Sequence, residues 1–132
     1  MEIISQASSI PDFEVVCLSR FDANEKEMLL RRVRAARRVG IDIETTGLDP
    51  LVNRIRLLQI AIVNESGEVE VQMIDALAAE RAALASFVEE LLSDARIEKI
   101  IHNAKFELSF FRQLIGRRTE VQGLFDTMLA SQ

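Results

Sequence analysis

The sequence predicts an α/β or α+β fold: a mixed sheet covered by helices. Two observations predict it. Short runs rich in β-branched and apolar residues recur at strand length, and among them stand longer segments whose apolar residues fall at helical spacing. Their order is strands first, then helix–strand–helix–strand, which lays helices over a sheet. The chain has 132 residues, enough for one domain with a sizeable core and too few for two.

Each element has its own reason. Ser8, Ser9 and Pro11 predict an irregular lead-in. Phe13–Leu18 (FEVVCL) predicts an edge strand. Asp22–Arg38 predicts a helix, capped by Asp22 or Asn24, with Glu25 and Glu27 in its first turn. Five arginines (Arg31, Arg32, Arg34, Arg37, Arg38) load its second half and complement the helix dipole. That run reads as a solvated helix face rather than a phosphate-binding patch. Leu29, Val33 and Ala36 supply the apolar stripe. Arg38–Ile43, Ile55–Val63 and Glu68–Ile74 predict three strands. The turn Glu65-Ser66-Gly67 predicts antiparallel pairing of the last two. Ala76–Ser93 is the clearest helix, with Leu84, Phe87, Val88, Leu91 and Leu92 at steps of three and four. Lys99–His102 predicts a short buried strand. Ala104–Ile115 predicts a helix ended by Gly116, with Phe110 and Phe111 on its apolar face. Val121–Phe125 predicts a last strand, and Asp126 a cap for a helix starting at Thr127.

Composition narrows the functional classes. The chain is 48% hydrophobic and 28% charged, like an ordinary globular protein. Its net charge is −5, with a pI of about 5.0. That argues against tight non-specific binding to duplex phosphates. It leaves room for a site in which carboxylates hold cations and the cations reverse the local field. One cysteine, Cys17, rules out an internal disulfide and a Cys/His zinc cluster. The N-terminal stretch MEIISQASSIPDF carries Glu2 and no basic, apolar leader pattern, so no signal peptide is expected. No apolar run approaches the ~20 residues that span a bilayer. A reducing cytoplasmic location is the expectation.

The sharpest chemical feature is DIETTGLDP, Asp42–Pro50. Asp42 and Glu44 stand two apart on a strand, so both side chains leave the same face. Two adjacent carboxylates repel unless a proton or a cation intervenes, and a divalent ion is a use for the pair. All-oxygen ligation favours Mg²⁺ or Mn²⁺ over zinc. The plain alternative is a solvated Asp-x-Glu, but the Thr-Thr-Gly-Leu-Asp-Pro that follows makes the pattern more specific. The turn lacks a P-loop lysine, which argues against ATP.

DIETTGLDP resembles the first motif of the DEDD exonuclease superfamily, which includes ribonuclease D and the proofreading domain of bacterial DNA polymerase I. IRLLQIAIV (Ile55–Val63) resembles the second strand of the ribonuclease D group. HNAKFE (His102–Glu107) is similar to the second motif, HN-x-x-F-D, and FDTMLAS (Phe125–Ser131) to the segment that follows. The resemblance covers roughly residues 39–131 of a single exonuclease-like domain spanning 1–132. It implies a ribonuclease-H-like α/β fold, a mixed sheet flanked by helices. It also implies 3′–5′ hydrolysis of phosphodiester bonds in single-stranded or 3′-end DNA or RNA, with two divalent cations, Mg²⁺ or Mn²⁺. Asp42, Glu44 and Glu107 would be the catalytic metal ligands. Leu48 would wedge against the terminal base. Thr45, Asn103 and Phe106 would touch the terminal nucleotide or shape its pocket.

The sequence departs from the pattern twice. Glu107 replaces an aspartate, and its extra methylene extends the carboxylate by about 1.3–1.5 Å. A displacement near 1 Å can cost on the order of 100-fold in rate. The third motif, a Tyr or His followed by a fourth carboxylate, has no counterpart. The chain has no tyrosine, and its one histidine, His102, lies in the second motif as a structural residue at a strand end. The expectation is a C-terminally incomplete fold with apolar surface exposed. Three explanations are open: a truncated product, which an end inside a helix without a C-cap favours; one half of a split enzyme, whose site a second chain or self-association would complete; or a degenerate domain kept for binding. The alternative is a catalytically incomplete module that binds nucleic acid or a partner protein.

Overall fold

Residues 2–6 and 13–132 are described by a computed structural model. Their elements, in chain order, are β1 (Glu2–Gln6), β2 (Phe13–Leu18), α1 (Ala23–Ala36), β3 (Arg38–Thr45), β4 (Ile55–Val63) and β5 (Val69–Asp75). Then follow α2 (Arg81–Ser93), β6 (Glu98–Ile101), α3 (Ala104–Ile115), β7 (Leu124–Asp126) and α4 (Thr127–Ala130). The strands form one sheet in the order β1-β2-β5-β4-β3-β6-β7. The sheet is mixed: β3 is antiparallel to β4 and parallel to β6, and β5 is antiparallel to β4 and parallel to β2. The expected α/β mixed sheet with flanking helices is therefore the fold.

The register explains the core. Val39, Ile41 and Ile43 face Ile62, Ile60 and Leu58, and all six are buried. Ile74 and Ile101 continue the same face on β5 and β6. Leu29, Leu30 and Val33 of α1, Leu84, Phe87, Val88, Leu91 and Leu92 of α2, and Phe110 and Phe111 of α3 join them in one cluster. Phe21 meets Phe87 edge to face at 5.6 Å. Each such side chain contributes roughly 1.5–3 kcal/mol by burial. The other face carries Gly40, Asp42 and Glu44 on β3 and Leu57, Gln59 and Ala61 on β4. Val71 and Met73 extend it on β5, and all of these are half-buried or exposed.

Most elements lie where the sequence places them, and the differences have causes. Ser8, Ser9 and Pro11 lie outside the described residues. Phe13–Leu18 is a strand but not an edge, because β1 pairs along its outer side. The first helix starts after Asp22, whose carboxylate and Glu25 form a reciprocal capping box. It ends at Arg37, which turns left-handed (φ 64°) so that Arg38 can open β3. The second helix starts five residues later than expected. Asp75 accepts from the Leu77 and Ala78 N–H groups and holds 76–80 in a turn. Lys99 is fully buried, an unusual place for a lysine. Its Nζ donates to the Asp94 and Gln122 carbonyl oxygens and ties the start of β6 to the segments that precede β6 and β7. Burial lowers its pKa, against the opposing pull of Asp94.

Candidate active site

The site forms where β3 runs out. Asp42 and Glu44 point to the open face and are exposed, with buried Ile43 between them. Asp42 stands opposite Gln59, whose Nε2 donates to Asp42 Oδ2 at 3.5 Å. The β3–β4 register then shifts between Glu44 and Thr45, a β-bulge that leaves Arg56 as the extra residue. Its guanidinium lies 3.8 Å from Glu44 Oε2.

Beyond the bulge, residues 46–54 form a loop held by its own polar groups. The Thr46 N–H donates to the Arg54 carbonyl at 2.9 Å, and the Arg54 N–H donates to Thr46 Oγ1 at 3.1 Å. Asn53 Oδ1 accepts from the Asp49 N–H. A Cβ at Gly47 would stand 2.5 Å from that Oδ1, so only glycine leaves room for the Asn53 amide. Thr45 spends its hydroxyl on the Gly47 carbonyl at 2.7 Å. At the tip, Leu48 is 84% exposed, an apolar side chain held out in solvent by a rigid base.

The third acid arrives from the other side. Asn103 takes a left-handed conformation (φ 57°) that turns β6 into α3. Glu107 follows in the first helical turn and is only 3% exposed. β6 pairs with β3 only as far as Ile41, so the Ile43 N–H beyond it is open to another partner. Glu107 Oε1 accepts from it at 3.3 Å. Glu107 Oε2 is buried and meets no protein donor. Burial, then the Asp42 charge and a hydrogen bond toward Asp42, push the Glu107 pKa up to about 8; the Ile43 N–H opposes this.

Asp126, at the end of β7, anchors that helix start. It accepts from the Asn103 and Ala104 N–H groups at 3.2 and 2.9 Å, and also from Met128 and Leu129. Desolvation works against its charge, but these backbone donors outweigh it and hold its pKa down. One carboxylate thus caps two helices. His102 is exposed and its Nδ1 lies 3.0 Å from Thr127 Oγ1, in keeping with a strand-end structural role.

The fold brings Asp42 and Glu107 together, and Glu44 flanks them on the Asp42 side. Among the described residues no three acid, His or Cys side chains converge closely enough to form a closed metal cage. Thr45 and Leu48 lie on the loop side of these acids; Asn103 and half-buried Phe106 lie on the helix side. The Phe106 ring packs on Phe110 at 5.1 Å. The donor set suits a hard divalent ion: three carboxyl groups, one of them with a buried oxygen that meets no protein donor and that a cation would satisfy. Sequence reading missed Gln59 and Arg56. Gln59 carries a faint signal, as the one polar residue inside LLQIAIV, but Arg56 requires knowledge of the bulge.

Comparison with known proteins agrees with this fold. The family model described as a 3′–5′ exonuclease matches residues 20–132. The EXO domain of Aedes aegypti Nibbler superposes with a TM-score of 0.69 at 14% identity, covering 89% of this chain and 54% of that one. Escherichia coli RNase D, an exoribonuclease involved in structured RNA processing, gives 0.68 at 22%, covering 89% and 28%. Brucella melitensis NrnC with bound Mg²⁺ gives 0.61 at 28%, covering 89% and 51%. The chain therefore spans about half or less of the length of these structures. No curated protein matches it.

Proposed function

The chain belongs to the 3′–5′ exonuclease family, and on that premise we propose that it removes nucleotides one at a time from the 3′ end of DNA or RNA. Asp42, Glu44 and Glu107 are its metal-binding and catalytic acids. The observation that carries this reading is Glu107 buried against Asp42 with one oxygen unsatisfied. A neutral carboxyl beside a carboxylate is the pattern of acids that share a cation's place.

Two divalent ions, Mg²⁺ or Mn²⁺, held there would activate a water and stabilise charge on the leaving oxygen. The protein's own contribution is placement. β3 presents Asp42 and Glu44 on one face, and the Ile43 N–H fixes Glu107 between the strand and the helix. Glu107 would hold a cation only after giving up its proton. Leu48 stands ready to press on a terminal base, and Thr45, Asn103 and Phe106 border the nucleotide. All 132 residues act as one exonuclease-like domain in the cytoplasm. A further carboxylate from outside these residues, whether from more of the same protein, a second chain or self-association, would complete the acid set.

The test uses 5′-labelled single-stranded DNA and RNA with Mg²⁺ or Mn²⁺. The expected result is a ladder that shortens from the 3′ end and disappears in Asp42→Ala. A ladder that persists unchanged in that variant rejects the assignment. The second reading is a module that binds nucleic acid or a partner without cutting. It is favoured by the absence of a closed acid cluster among the described residues. Binding without any shortening, in a folded chain, would establish it.

A further inference from the structure

Resting on the nuclease reading, we propose that Arg56 binds a phosphodiester of the incoming strand at the mouth of the site. In regular alternation Arg56 would share the helix-covered face with Leu58 and Ile60. Instead the bulge at Glu44/Thr45 frees it from the ladder, and its side chain is 60% exposed, 3.8 Å from Glu44. Bulges that re-aim a single side chain cluster beside active sites. The backbone here is not slack: the Ala76 N–H donates to the Arg56 carbonyl at 3.0 Å. The side chain alone is free to move.

A chain of net charge −5 with three acids at its site repels a polyanion. Cations held by the acids offset this only at the site itself, so a cationic side chain at its mouth favours the strand that leads in. Arg56 is the arginine in contact with those acids. Its pair with Glu44 is a poor structural latch, since both side chains are more than half exposed. Arg32, by contrast, grips Glu70 with two nitrogens and fastens α1 to β5. A guanidinium offers paired donors matched to phosphate oxygens. Arg54 lies two residues away, exposed and in no ion pair among the described residues. It extends the cationic edge toward the base of the Leu48 loop. Arg56 thus rests on Glu44 without substrate and moves to a phosphate with it, leaving Glu44 to the metal.

The test is fluorescence anisotropy of a 5′-fluorescein single-stranded oligonucleotide, with Mg²⁺, on the full chain in an Asp42→Asn background that prevents turnover. Arg56→Ala is expected to weaken binding roughly tenfold. It should also reduce the slope of log affinity against log salt by about 0.7, the value of one phosphate contact on a single strand. Arg56→Lys should restore the slope and only part of the affinity. Circular dichroism melts of both variants, expected to match the parent, read folding separately. An unchanged affinity and slope in Arg56→Ala overturns the proposal while leaving the nuclease reading intact. So does a change in Mg²⁺ affinity alone, which would make Arg56 a counter-ion of Glu44. No binding by the parent chain overturns the proposal, and the nuclease reading is then decided by the 3′ ladder assay on the unmutated chain.

Discussion

The end of β3 and the start of α3 each deliver acids to one place, under opposite physical regimes. Asp42 and Glu44 sit on a strand in water, where charge costs little. Glu107 sits under the strand, where charge is expensive and one oxygen lacks a donor. The exposed pair is placed by strand alternation alone. The buried acid needs a helix start, an open Ile43 N–H and a neighbour to share its proton. The lesson is that the site's metal-free chemistry is concentrated on the helix side, although its most recognisable motif is on the strand side.

The largest effect should come from breaking the strand side. Asp42→Ala should lower hydrolysis by at least ~100-fold with little loss of stability, read by parallel nuclease assays and thermal melts. A large stability loss would mean that Asp42 is structural. Next is the pH response of the helix side. The ordinary Glu107 value is near 4.5 and the folded value about 8. Over that interval the folded chain keeps a proton that the unfolded chain has released. The resulting stability is full below about 4.5 and is lost as pH rises toward 8, by at most ~1.4 kcal/mol per pH unit. Urea titrations in EDTA should show this decline, and Glu107→Gln should flatten it. A wild-type profile parallel to the variant would place the proton elsewhere. Mg²⁺ should raise Tm more at about pH 8 than at about pH 5, because protons compete for Glu107.

Smaller again is Asp126→Ala. It removes the cap from two helix starts and should lower Tm on the order of 5 °C. Hydrogen exchange would locate the loss: faster exchange at Ala104 as well as at Met128 is expected. Protection unchanged at Ala104 would mean that α3 caps itself. The smallest stability effect belongs to Leu48→Ala, within about 0.5 kcal/mol, since the side chain is 84% exposed. Its activity toward a 3′ end should nevertheless fall. Equal activity would remove Leu48 from the site.

Much of this was legible in the sequence, because local rules agreed with the fold. Ile55–Val63 and Ala104–Ile115 lie where their patterns put them. Asp42, Glu44 and Glu107 were named from motif order, and the structure juxtaposes Asp42 with Glu107. What was not legible depends on partners distant in sequence. β1 is a strand because β2 has an open side, which no local pattern states. Residues 76–80 have helical composition, yet Asp75 diverts them into a turn. Arg56 follows strictly alternating neighbours and reads as an inward residue until the bulge is known. Lys99 falls in the expected buried strand, but the two carbonyls from residues 94 and 122 that satisfy its ammonium are not readable from the sequence.

The Asp126 carboxylate has a mechanical consequence. It grips the amides that open α3 and those that open α4. The first turn of α3 contains Glu107. Removing the Asp126 carboxylate should therefore disturb Glu107 as well as residues 127–130. Residues 127–130 are thus tied through one carboxylate to the turn that carries Glu107, although none of their side chains need reach it.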